Sequence, residues 1–164
     1  MLRPLHRRYV QRNGVVDVSA RQELPNEALL GLASESLDKG HTVTIWVKGY
    51  SMRPFLEHER DRVLLAKQAE LHVGDAVLAQ IVPGHYVLHR IIQLNGDHVV
   101  LQGDGNVRGV EHCLRSDVCG TVMQYIRPRR TIPANAPKLV RRIRLWHKLF
   151  PIRRWLLVIY KAVV

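Results

Sequence analysis

Between His41 and Ile126 the sequence is a succession of short apolar runs broken by turn signals, and this spacing is its strongest constraint on fold. His41–Val47 alternates around Val43, Ile45 and Val47. Arg62–Ala66 and Ala76–Val82 are compact apolar runs, Tyr86–Leu94 and His98–Gln102 flank Asn95-Gly96, and Val118–Ile126 closes the set. Side chains on an extended strand point alternately to its two faces, so runs of this kind predict short, half-buried strands. Asn-Gly suits the left-handed positions of a two-residue hairpin turn, and Gly74-Asp75 and Pro83-Gly84 punctuate other joints. With almost no helix between the runs, the expected fold is mainly β, a coiled or barrel-like antiparallel domain.

Helical patterns are confined to the two ends. Pro25–Leu37 reads as a short helix: Pro25 suits a first turn, Leu29, Leu30, Ala33 and Leu37 form a stripe, and Gly40 stops it. Residues 1–22 show no period and are expected to be a flexible basic arm, leaving 23–126 for the β domain. Residues 127–137 read as a Pro/Arg linker and 138–164 as a basic amphipathic tail. Within the tail Leu139, Ile143, Trp146 and Phe150 fall within roughly 60° at about 100° per residue, with Arg141, Arg144 and Lys148 opposite. Pro151 breaks this pattern, and a short apolar segment with Trp155 and Tyr160 ends the chain.

Charge follows the same division. The 164 residues carry a net charge of +11, yet from Arg127 onward there are eleven Lys/Arg and no acid, so residues 1–126 hold fourteen of each sign. A neutral body with a cationic appendage points to an anionic surface as a partner of residues 138–164. A nucleic-acid arm has the arginine density but no base-edge readout, and the third reading is that the stripe packs on the β domain. Cys113 and Cys119 are too few for a disulfide framework and are expected to be buried free thiols. No apolar run follows the N-terminal arginines and no stretch approaches the roughly 18 apolar residues of a membrane span. The expected location is therefore the cytoplasm, peripheral at the inner face of the cytoplasmic membrane if the tail binds lipid.

Three polar residues stand where chemistry is plausible. Ser51 lies in Gly49-Tyr50-Ser51-Met52-Arg53-Pro54, directly after an apolar strand. A serine hydroxyl attacks only when a neighbouring base takes its proton, so a base must be sought elsewhere. His89, in Tyr-Val-Leu-His-Arg-Ile-Ile, shares a strand face with Val87 and Ile91, and imidazole titrates near neutrality. Asp104, in Gly103-Asp104-Gly105-Asn106, follows a predicted strand, although Gly-Asp-Gly is also a turn signature in its own right. His58, His72, His85, His98 and His112 are expected at the surface or in turns. Their spacing suggests no metal site, and no cofactor is expected.

Over Val43–Met123 these motifs resemble the catalytic domain of type I signal peptidases and the related LexA-like self-cleaving proteins. The resemblance implies a coiled antiparallel β fold with Ser51 as nucleophile and Met52 packed beneath it. Bacterial signal peptidases carry Lys-Arg where this chain has His89-Arg90, whereas endoplasmic-reticulum and archaeal types carry histidine, which implies the histidine-base branch. It further implies that Asp104 orients the base, that Arg90 is a structural clamp on Asp104 or nearby backbone, and that Gly49 and Tyr50 support the oxyanion site. Gly49 departs from the bacterial pattern, which often places a second serine there, and an N-terminal membrane anchor pattern is missing. The implied activity is that of a serine endopeptidase cleaving a peptide or protein precursor at small residues. Alternatives are self-cleavage, as in LexA-like regulators, or a non-catalytic binding or maturation partner. LexA-like regulators fuse the protease to a DNA-binding module, and residues 1–40 offer only one credible helix toward one. The oligomeric state stays open.

Overall fold

The computed structural model describes residues 11–12, 15–17 and 26–164. In chain order the elements are β1 (Gln11–Arg12), β2 (Val15–Asp17), α1 (Asn26–Asp38), β3 (Thr42–Trp46), β4 (Arg62–Ala66), β5 (Ala76–Val82) and β6 (His85–Asn95). They continue with β7 (His98–Gln102), β8 (Glu111–Leu114), β9 (Val118–Arg127), β10 (Arg130–Pro133), α2 (Pro137–Lys148) and α3 (Arg153–Val163). The strands form one sheet in the order β1-β2-β3-β4-β9-β5-β6-β7-β8, with β10 added to β9. Pairing is antiparallel apart from β2 with β3. Register shifts interrupt the β4–β9, β5–β6, β5–β9 and β6–β7 ladders. Such irregularities bend strands and increase their twist, which suits a coiled sheet.

Strand β5 shows how the sheet is used on both sides. Ala76, Val77, Leu78 and Ala79 are all buried, and alternation sends them to opposite faces. Ala76 and Leu78 join a core with α1 (Leu30, Ala33, Leu37), β3 (Val43, Ile45), Met52, Phe55 and Leu56. Val77 and Ala79 join a second core with Ile91, Val99, Leu101, Cys113 and Val118. At Gly120 on β9 an added Cβ lies 2.9 Å from Leu37 Cδ1, so a side-chain-free position lets α1 close on the sheet. Cys113 and Cys119 are free and buried.

The ends of the chain differ from their sequence-based expectation. Gln11–Arg12 and Val15–Asp17, inside the expected arm 1–22, are strands, and the rest of that arm lies outside the described residues. The expected linker 127–137 contains β10, paired to β9 from Arg130↔Arg127 to Pro133↔Gln124. Pro133 is tolerated there because it ends a strand paired on one side, where its missing N–H breaks no ladder. The tail folds back on the domain: Leu139 and Ile143 of the expected stripe are buried in the first core, with Trp146 packed against it. Phe150 falls beyond the end of α2 and is 44% exposed.

If α2 is part of the core, Ile143→Ala destabilises the protein by about 2–5 kcal/mol, the usual cost of deleting buried branched carbons. Denaturant midpoints measure this. A midpoint equal to wild type contradicts the packing described here.

Candidate active site

Ser51 is held by a turn whose apolar residues point inward. Beyond β3, Gly49 takes φ +84°, a conformation open to glycine, and reverses the chain. Met52 and Leu56 are fully buried, Phe55 nearly so, and the N–H groups of Phe55 and Leu56 both donate to the Met52 carbonyl. Ser51 is half-buried and Tyr50 exposed. The Arg53 guanidinium lies 4.2 Å from the Tyr50 ring centroid, and Tyr50 and His58 meet edge-on at 5.1 Å. Arg53 Nε also donates to Glu57 (2.6 Å), and Tyr160 Oη of α3 donates to the other Glu57 oxygen (2.9 Å). Burial pushes the Glu57 carboxyl up, but these two hydrogen bonds and the charges of Arg53 and Arg60 together outweigh it and hold the group below the usual carboxylate range. The Gly49 N–H donates to His58 Nδ1 (3.0 Å) and is therefore occupied, whereas no hydrogen bond among the described residues engages the Ser51 or Met52 N–H.

The Gly103–Asn106 loop lies directly on this turn. The Gly105 N–H donates to the Ser51 carbonyl (2.7 Å). A Cβ on Gly103 falls 2.5 Å from that carbonyl oxygen, and one on Gly105 falls 2.8 Å from the Tyr50 carbonyl. Backbone packs on backbone here, and a side chain at either position collides with atoms that cannot rotate away. Both glycines thus serve close approach, not merely turn formation.

Arg90 fixes the loop from below. It is 1% exposed, donates from Nε and Nη2 to the two Asp104 oxygens (2.8 and 2.5 Å), from Nη1 to the Gly74 carbonyl (2.8 Å) and from Nη2 to Tyr125 Oη (3.3 Å). Burial alone lowers the Arg90 pKa, but the Asp104 charge, Tyr125 and the hydrogen bonds to both together outweigh it, and the net shift is upward. Asp104 is equally buried, and both its oxygens serve Arg90. Arg90 therefore pairs with Asp104 and the Gly74 backbone, and no hydrogen bond among the described residues joins Asp104 to His89. Strand alternation explains why: Arg90 and His89 are neighbours and point to opposite faces of β6, so a carboxylate bound to one is directed away from the other.

His89 has a different acid. Its Nδ1 lies 2.8 Å from Glu111 Oε2, with the imidazole 8% and the Glu111 side chain 28% exposed. Register accounts for the meeting. Arg90 pairs with Gln102, so one further step sets His89 opposite Gly103, while Glu111 pairs with Leu101 on the other side of β7. Gly103 has no side chain to stand between β6 and β8. Ser51 and His89 thus converge on the same glycine, one through its carbonyl contact and the other through the ladder; among the described residues no direct hydrogen bond joins them.

The C-terminal helices complete the frame. Trp146 Nε1 of α2 donates to the Asp104 carbonyl (2.8 Å). Arg153 of α3, 1% exposed, donates from Nη1 to Gln102 Oε1 and the Asn106 carbonyl, both at 3.3 Å. His147 is pushed down by burial and by the nearby Arg90 and Arg153. Glu111, His58, Trp146 and Arg153 were not singled out from the sequence for this site. Their contacts depend on strand pairing and chain reversal, which no local motif announces. Among the described residues no group of three or more His, Cys, Asp or Glu is placed to hold a metal ion.

The two carboxylates are separable by experiment. Asp104→Ala leaves Arg90 buried and unpaired and costs about 3–5 kcal/mol in urea unfolding. Glu111→Gln, at a more exposed carboxylate, shifts the midpoint far less. The reverse pattern contradicts the assignment of Asp104 to the framework and Glu111 to His89.

The family model described as Peptidase S24-like matches residues 15–121. The match runs from β2 into β9, takes in Ser51, His89, Asp104 and Glu111, and stops before β10, α2 and α3. No individual curated protein matches the chain. Its antiparallel β architecture agrees with the family match, and the chain belongs to the Peptidase S24-like family, whose members are serine peptidases and LexA-like proteins.

Proposed function

We propose that the chain is a serine endopeptidase in which Ser51 attacks the scissile carbonyl and His89 is the general base, oriented by Glu111. The observation that carries this reading is the 2.8 Å His89 Nδ1–Glu111 Oε2 contact on the strand that runs opposite Gly103. An imidazole whose Nδ1–H is held by a carboxylate presents Nε2 as the free base, the tautomer that serine activation requires. His89 Nε2 takes the Ser51 hydroxyl proton as Oγ bonds to the carbonyl carbon, then returns it to the leaving amine as the peptide C–N bond breaks. Water repeats the sequence to release the acyl group. The unengaged Ser51 and Met52 N–H groups suit the developing oxyanion, a role for which the Gly49 N–H is already taken. The substrate class is a peptide or protein precursor, and cleavage after small residues follows the resemblance to signal peptidases.

In this reading Ser51→Ala and His89→Ala each abolish cleavage without unfolding the protein. Glu111→Gln lowers kcat by roughly a thousandfold or more, as expected when a base loses the carboxylate that sets its tautomer. The assay compares protein N-termini in cells carrying wild type and Ser51→Ala, followed by cleavage of the identified precursors in vitro. Retained cleavage in Ser51→Ala or His89→Ala rules the pair out. Fragments of the chain itself, formed at a rate independent of its concentration, assign the same residues to self-cleavage as in LexA-like proteins.

A further inference from the structure

We propose that the outward face of α3 docks on the surface of an anionic lipid bilayer. The inward face of this helix is spent on the domain: Arg153 and Leu157 are buried, and Tyr160 reaches Glu57. At about 100° per residue, Trp155, Val158, Ile159 and Ala162 fall within an arc of roughly 100° on the far side. Trp155 is 68% exposed, Val158 59% and Ile159 61%, and Val163 beyond them 81%. This is a contiguous apolar face left without a partner among the described residues, distinct from the α2 stripe that enters the core.

Charge selects the occupant. Arg154 and Lys161 flank the apolar arc, and Arg141, Arg142, Arg144 and Lys148 project from α2, all exposed. No Asp or Glu occurs from Arg127 to the end of the chain. A second copy docking face to face brings two cationic segments together with no acid in either to pair them. A nucleic acid meets aliphatic Val158, Ile159 and Val163 at the centre of the patch, which neither stack on bases nor bond to phosphate. A bilayer interface satisfies both halves. Aliphatic side chains and the Trp155 ring enter the acyl boundary, and the arginine and lysine heads meet lipid phosphate. No helix among the described residues is long and apolar enough to cross a membrane, so the mode is surface docking. The inference is independent of the peptidase assignment, because no residue of the docking face belongs to the candidate site.

The test is flotation of the full chain carrying Ser51→Ala with vesicles of phosphatidylcholine alone or mixed with phosphatidylglycerol. The expected result is partition onto the mixed vesicles, weakened by salt. Joint Trp155→Ser and Ile159→Ser substitution lowers it by about tenfold or more. Arg154→Gln and Lys161→Gln each lower it roughly fivefold. All four positions are exposed, and unfolding midpoints equal to wild type certify the variants; the charge variants test the proposal even if the apolar pair misfolds. Absence of partition, or equal partition by wild type and the variants, overturns the proposal. So does a concentration-dependent dimer in light scattering that the Trp155/Ile159 variant loses, since that assigns the face to a second copy.

Discussion

The buried pair of Arg90 and Asp104 is the contact on which the remaining geometry rests. Two fully desolvated charges persist in a protein only when their hydrogen-bonding capacity is filled, and here Arg90 spends its donors on Asp104, Gly74 and Tyr125. That arrangement ties β6, β9, the turn before β5 and the Gly103–Asn106 loop together in one place. With the loop fixed, Gly103 and Gly105 press on the carbonyls of Tyr50 and Ser51, and the serine turn gains a rigid floor.

Alternation along β6 then sends adjacent residues to different partners on opposite faces of the sheet. Arg90 faces the core that contains Phe55 and Tyr125, while His89 faces the opposite side, where Glu111 is its partner. A fully buried charge pair and an imidazole bound to a more exposed carboxylate are kept apart by one peptide unit and the thickness of a sheet. The C-terminal helices reinforce the same loop through Trp146 and Arg153. The basic segment is therefore a brace on its inner side, and α3 still presents an apolar outer face.

Much of this was legible in the sequence. Strands β3 to β7 and β9 announced themselves by alternation, the β6–β7 hairpin by Asn95-Gly96, and α1 by the Leu30, Ala33 and Leu37 stripe. Strand β8 did not, because Glu-His-Cys-Leu is too short and too polar to show a period, and with it Glu111 was missed. Strand β10 was hidden inside an Arg/Pro-rich stretch that reads as linker. Ser51, His89 and Arg90 were singled out by their motifs. The choice of carboxylate partner was not, since it depends on which face of β6 each side chain takes and on a β7–β8 pairing encoded in no local pattern. The tail's stripe was visible, but its partner was not, because periodicity shows that a face is apolar without showing what covers it.

The measurement that tests the account most directly is covalent labelling by a serine-directed phosphonate, with the modified peptide located by mass spectrometry. In wild type a single adduct is expected, on Ser51. Labelling is abolished by His89→Ala and strongly slowed by Glu111→Gln, while Asp104→Asn, where the fold survives, labels at a rate near wild type. Labelling of another residue, or labelling of Ser51 that is indifferent to His89 and Glu111, contradicts it.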